Sequence, residues 1–235
     1  MIAIIGGGNV ASHLYKALNT KVNVTIVDPH SLKGIPANPD IILIAVADKA
    51  IAEVANKIDN KKAIVAHTSG SIPMEVLNKN HPNIGVLYPL QTFTKTRIID
   101  YREIPLFIEG NTPEVVNKLR KIGSLFADKI YEADSEKRKN LHLAAVFACN
   151  FTNALASISE KLIENTGFNF NVLQPLMKET VNKLEVMSPY DAQTGPASRW
   201  DKQVMETHLN MLEDKPELKT LYSIFSDYIK KIHET

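Results

Sequence analysis

The sequence predicts an α/β fold: a doubly wound parallel sheet wrapped by helices, followed by an all-helical half. Two observations carry this. From Met1 to about residue 134, short apolar runs alternate with helical patterns, which is the signature of strand–helix–strand units. Runs such as IILIAVAD (residues 41–48) are apolar without alternation, as expected of a parallel strand covered on both faces. From Ser135 onward strand signals stop, and Pro and Gly punctuate helical segments only. The expected division is 1–134 and 135–235.

Taken in order, MIAII is a buried strand, followed by glycines and the amphipathic stretch NVASHLYKAL. VNVTIV (22–27) is a second strand ending on Asp28, and IILIAVAD is a third. KAIAEVANKI has helical period, AIVAH (63–67) reads as a strand, and HTSGS leads through Pro73 into a helix MEVLNK. IGVLYPLQTF (84–93) and IPLFIEG (104–110) supply further strands. Thr112-Pro113-Glu114 opens a helix, with Thr as cap and Pro in the first position. DKIYEAD gives a last short strand.

Residues 135–165 read as one long helix, capped near Ser135 and ended by Gly167. Its middle is apolar nearly all round, the pattern of a helix buried on most sides. Further helical patterns occupy 169–187, 197–213 and about 216–232.

Within this frame the opening turn carries the first chemistry. Gly6-x-Gly8-x-x-Ala11 fits the phosphate loop of the Rossmann dinucleotide fold. Gly6 permits the turn, Gly8 lets backbone amides approach a pyrophosphate, and Ala11 lets helix and strand pack closely. The helix N-terminus adds partial positive charge. Asp28, at the end of the second strand, either accepts hydrogen bonds from ribose hydroxyls, favouring NAD over NADP, or serves as a turn residue before Pro29.

Ser69 and Gly70 lie beyond a strand end, where α/β sheets place ligands; they contact nicotinamide or substrate, or Ser71 simply caps a helix. Polar residues on the long apolar helix stand out, because an unpaired polar group in a core is costly. His142 is a general acid or a core histidine, and Asn150 and Asn153 contact substrate or bond between helices. His142 lies on the order of 12 Å along the axis from Asn150, so the two do not grip one atom. In QTGPASRWD, a helix starting near Pro196 offers free amides to an anion, and Arg199 suits a carboxylate. A linker followed by a surface Arg–Asp pair explains the same residues.

Composition narrows the classes. Lys and Arg total 27 against 26 Asp and Glu, and no basic block tracks a phosphate backbone, which argues against nucleic acid. The single cysteine, Cys149, forms no internal disulfide, which suits a reducing compartment. No apolar run reads as a spanning helix and no leader pattern precedes the first strand, so a cytoplasmic protein without a membrane partner is expected.

The runs IIGGGNVASHL, IAVADKAIAEVA, VAHTSGSIPMEVL, GVLYPLQTF, NLHLAAVFACNFTNAL and TGPASRWDKQVMETHL resemble, in order, a bacterial family of NADP oxidoreductases. That family joins a Rossmann-like N-terminal half to a helical C-terminal domain of unknown function. More distantly, the layout is similar to the 6-phosphogluconate dehydrogenase-like superfamily. Its members include β-hydroxyacid dehydrogenases, pyrroline-5-carboxylate reductase, ketopantoate reductase and deazaflavin-dependent NADP reductases. The resemblance implies that Gly6, Gly8, Asn9 and Val10 hold a pyrophosphate, with Ala11 completing the cofactor-binding motif, and that Ala45, Val46 and Ala47 line the nicotinamide crevice. It also implies a homodimer formed through the helical domain. The catalytic lysine of the β-hydroxyacid dehydrogenases has no counterpart among Lys137, Arg138, Lys139, Asn140 and His142.

The expectation is thus an oxidoreductase that uses NADP or NAD. Hydride would pass between the nicotinamide and a small carbonyl, hydroxy or imine substrate. His142 is the expected proton donor, Ser69 and Asn150 accompany it, and Gln91 and Arg199 bind substrate. The alternative is a non-catalytic dinucleotide sensor or partner-binding dimer; a deazaflavin partner is a third reading. No metal site is expected, since no compact His or Cys spacing occurs.

Overall fold

A computed structural model describes residues 1–77 and 80–234. The chain forms two compact units, Met1–Leu155 and the segment from Ala156 onward. The first unit runs past residue 134 to Leu155 and takes in about two-thirds of the long helix.

The sheet of the first unit contains β1 (Ile2–Ile5), β2 (Val24–Val27), β3 (Ile41–Ile44), β4 (Ile64–His67), β5 (Ile84–Pro89), β6 (Leu106–Gly110) and β7 (Ile130–Glu132). Their order is β2-β1-β3-β4-β5-β6-β7. All neighbours are parallel except β5 and β6, which run antiparallel. The reason lies in the connection: residues 90–105 contain no helix, so the chain returns beside β5 instead of crossing over.

Apolar residues alternate between the faces. Ile2, Ile4, Ile41 and Leu43 pack with α1 (Asn9–Leu18) and α3 (Pro113–Gly123), while Ala3, Ile5, Ile42 and Ile44 pack with α2 (Ile51–Lys57) on the other side. Burying such an Ile or Leu contributes about 1.5–3 kcal/mol, so the central strands are the most tightly held part of the chain. Thr112 caps α3, accepting from the Val115 N–H at 3.3 Å. The segment after Pro73 forms a short 3₁₀ turn, Met74–Leu77; the rest of the expected MEVLNK helix, residues 78 and 79, lies outside the described residues.

The long helix starts as expected but is not uniform. α4 (Ser135–Ala145) is capped near Ser135, by Asp134, whose carboxylate accepts from the Lys137 N–H at 2.8 Å. A π-helical segment, Val146–Phe151, interrupts it before α5 (Thr152–Ile163), and Gly167 ends it at φ +81°. The expected burial does not hold: Leu143, Phe147, Phe151 and Leu162 are all more than two-fifths exposed. Ser135–Thr166 is also long and apolar enough, by length and composition, to cross a membrane. Asn150, Thr152, Asn153 and Ser157 interrupt the apolar run without lowering its average below that mark, so no continuous apolar stretch marks the span in the sequence.

In the second unit, α6 (Gln174–Lys183), α7 (Pro189–Ala192), α8 (Lys202–Met211) and α9 (Pro216–His233) follow. His208 Nδ1 lies 2.9 Å from the Tyr222 hydroxyl, joining α8 to α9. The Lys230 ammonium sits 3.8 Å from the centre of the Trp200 ring.

Candidate active site

The site begins at the point where strand order reverses. β1 pairs with β2 on one side and β3 on the other, and a crevice opens beyond the carboxyl ends of such strands. Gly6 ends β1 at φ +138°, and a Cβ there would stand 2.3 Å from the Ala45 carbonyl oxygen. Only glycine fits that backbone and that separation. Gly7 and Gly8 differ: a Cβ on either meets nothing within 4 Å.

Helix α1 then begins at Asn9 with no side-chain cap and no acidic residue in its first turn. Its leading amides and dipole are accordingly available to an anion. The resulting crevice holds about 400 Å³, and its walls include Gly6 to Val10, Pro29, Ala45 to Ala47 and Thr68. Ala11 is fully buried behind it, letting α1 sit against the sheet. An open glycine cradle at an uncapped helix N-terminus fits a pyrophosphate. Asp28 takes up its turn role: Oδ1 accepts from the His30 N–H at 3.0 Å and the Ser31 N–H at 2.9 Å. Above all the Ser31 backbone N–H holds its carboxyl below the usual carboxylate range, so it remains an anion.

A second cavity, of about 640 Å³, shares Asn9 and Val10 with the first. His142, Asn150 and Gln91 all line it, together with Tyr88, which the sequence reading missed. Tyr88 is the penultimate residue of β5, and its hydroxyl lies 3.2 Å from Nδ1 of His142. Burial, foremost, raises the Tyr88 phenol above its ordinary range, so it keeps its proton at neutral pH.

Asn150 reaches this wall through the π-helical segment. At about 100° per residue, an unbroken helix would set Asn150 roughly opposite the face made by Leu141, Ala145 and Ala148. The wider π turn delays the rotation by about one residue, roughly 100°, and swings Asn150 toward the cavity it lines. Cys149 lines the same wall.

Ser69 is otherwise engaged. Its Oγ accepts from the N–H groups of Ser71 and Ile72, both at 3.1 Å, and its carbonyl accepts from Arg138 Nε at 3.1 Å. Its job here is to shape the loop. Arg199 lies in the second unit as an exposed residue of the turn preceding α8. The helix expected near Pro196 starts instead at Lys202, capped by Asp201, whose carboxylate accepts from the Val204 N–H at 3.2 Å. An acid at that position occupies the amides an anion would need.

Arg138, to which the sequence assigned no role, is among the largest fully buried side chains. It is fully buried and ion-paired with Glu109; it also donates to the carbonyls of Ser69 and Ile72 and to Ser135 Oγ. Ser135 Oγ in turn bonds Glu109 and accepts from the Met74 N–H. This cluster fastens the first turn of α4 to β6 and to the loop after β4. His142 lies four residues on, on the same helix face. Its only sequence signal is an arginine opposite a strand glutamate, which surface pairs share.

A doubly wound sheet with a glycine cradle at its switch point defines the class of dinucleotide-binding α/β proteins. Residues 104–229 match the domain of unknown function DUF2520, and the chain belongs to that family. Over 98% of its length it is 37% identical to the "putative NADP oxidoreductase BF3122 from Bacteroides fragilis", covering 97% of that chain with a TM-score of 0.91. Protein TM1727 from Thermotoga maritima shares 24% identity over 100% of this chain and 98% of that one, at a TM-score of 0.78. A 1-pyrroline-5-carboxylate reductase from Streptococcus pyogenes shares the fold at 16% identity, covering 98% of both chains with a TM-score of 0.62. No curated protein matches the sequence.

Proposed function

We propose that the chain is an NAD(P)-dependent oxidoreductase acting on a small carbonyl, hydroxy or imine compound. The observation that carries this reading is the adjacency of the two cavities, which share Asn9 and Val10. One has the chemistry of a pyrophosphate cradle, and the other gathers His142, Tyr88, Gln91 and Asn150. Structures sharing the fold include an imine reductase from Myxococcus stipitatus in complex with NADP+ and a reductive aminase from Aspergillus terreus in complex with NADPH; the relative 37% identical is named as an NADP oxidoreductase.

A bound nicotinamide supplies or accepts the hydride. The amides at Gly7, Gly8 and the start of α1 would hold the phosphates, with Ala45 to Ala47 lining the same crevice. In the second cavity His142 delivers or takes the proton at the substrate heteroatom, while Gln91 and Asn150 orient the compound by hydrogen bonds. The apolar residues beside them exclude water. We further propose a homodimer built on the exposed apolar residues of the helical half.

The test is a fluorescence titration with NADH and NADPH, followed by an absorbance screen of cyclic imines and keto acids. Binding of either nucleotide with turnover of one substrate is expected. Binding without turnover on any compound favours a sensor, and no binding sinks both readings. Two glycine variants locate the cradle. Gly8→Val adds bulk in open space, so it should fold normally and weaken nucleotide binding by about tenfold or more, at least ~1.4 kcal/mol. Gly6→Val meets the Ala45 carbonyl at a strained φ and should fail by unfolding, read as a lower melting temperature.

A further inference from the structure

Two side chains, Tyr88 and His142, meet the backbone of Gly70 where β5, α4 and the loop after β4 come together. A Cβ on Gly70 would stand 2.7 Å from Tyr88 Cζ, 2.9 Å from the Tyr88 hydroxyl and 2.9 Å from His142 Nδ1. The glycine backbone thus lies directly against the Tyr88–His142 hydrogen bond, which spans 3.2 Å. The rings meet edge-on, with centroids 6.2 Å apart. Four residues before His142 on the helix, Arg138 is locked to Glu109 and to the carbonyls of Ser69 and Ile72, on either side of Gly70. Both partners of the hydrogen bond are therefore held by buried structure.

A neutral imidazole has one N–H and one bare nitrogen, and the bond made by one nitrogen decides the state of the other. A phenol is a good donor and a bare imidazole nitrogen a good acceptor. We infer that Tyr88 is a positioning residue: its hydroxyl donates to Nδ1 of His142 and fixes the ring as the Nε2–H tautomer, which presents one N–H to the occupant of the cavity. Both residues line that cavity. This deepens the oxidoreductase reading and rests on it for the identity of the occupant. Its consequence is a substrate class with an acceptor atom at the reacting end, a carbonyl oxygen or an imine nitrogen. Tyr88 acts through His142, and Gly70 provides the space that lets them meet.

The experiment is a long-range ¹⁵N–¹H correlation spectrum of the histidine side chains in the full-length protein. It is recorded at about pH 8, where an ordinary imidazole is neutral, and the His142 signals are assigned by their loss in His142→Gln. The expected wild-type pattern is a protonated Nε2 and a hydrogen-bonded, bare Nδ1. Tyr88→Phe removes one hydroxyl and should let the Nδ1–H form appear, a change of about fivefold in the tautomer ratio for one net hydrogen bond. A wild-type Nδ1–H pattern, or a ratio unchanged in Tyr88→Phe, overturns the inference. Should Tyr88→Phe not give folded protein, Gly70→Ala, which pushes the two rings apart, carries the same two outcomes. A parallel NADPH titration of the wild type keeps the readings apart: loss of nucleotide binding removes the oxidoreductase proposal, while the tautomer is decided by the spectrum alone.

Discussion

At the carboxyl end of β4, the His67 imidazole has no exposed surface. Nδ1 accepts from the Ser69 N–H at 3.2 Å, and Nε2 has no hydrogen-bond partner among the described residues. Burial, then the nearby Arg138 charge, lowers its pKa from 6.5 to about 4. The folded protein thus holds this ring neutral through a pH range in which the unfolded chain would protonate it. Because the unfolded state binds more protons, stability is lost as pH falls from about 6.5 toward 4. The full effect is on the order of 3 kcal/mol. Urea unfolding of the wild type at stepped pH should show that decline, and His67→Asn should flatten it; parallel curves would refute the account. Nothing in VAHTSGS announced this, because a buried histidine and a catalytic one share the same letters. Gly6 was legible for the opposite reason: its φ and its closeness to Ala45 are backbone demands that only one residue type meets.

Among elements, the sheet was readable wherever apolar runs met turn residues, and β6 shows the limit. Its composition marked it as a strand, but its direction depended on the absence of a helix in residues 90–105, which composition does not register. α4 shows a second limit. Hydrophobic pattern gave its span, yet the π turn at Val146–Phe151 leaves no period of its own, so the face on which Asn150 emerges is not legible from the sequence. His142 and Asn150 line the same cavity. What fixes α4 in register is Arg138, paired with a glutamate 29 residues earlier. Arg138→Met leaves Glu109 charged and enclosed without its partner, which should cost about 3–5 kcal/mol. Arg138→Lys retains charge but lacks the planar fork that reaches two carbonyls and a carboxylate at once, so it should rescue only part of that loss. Equilibrium unfolding of both full-length variants measures it, and a near-neutral Arg138→Met would show that the cluster is not what secures the helix.

For the whole molecule, large apolar side chains stand exposed in each of the two units, and such side chains, where contiguous, mark association sites. Phe147 is 62% exposed, Leu176 65% and Ile224 59%. Two physical fates fit such a surface, a second copy of the chain or a lipid phase, because Ser135–Thr166 meets the length and composition of a spanning helix. The contacts of its first turns favour the copy. Arg138 and Ser135 tie the start of the helix to Glu109 on β6, and Leu141, His142, Ala145, Ala148 and Asn150 help wall a cavity of the sheet-bearing unit. Insertion into a bilayer would have to strip those polar contacts from buried partners, whereas association in water leaves them in place. Sedimentation equilibrium without detergent should therefore give a mass near twice the 26.2 kDa of one chain. Phe147→Glu should shift the population toward monomer, since a carboxylate does not enter an apolar interface unpaired. Flotation with phosphatidylcholine vesicles supplies the opposing measurement. Recovery of the wild type with the lipid, combined with a monomer mass in detergent, would assign the surface to a membrane and overturn the dimer.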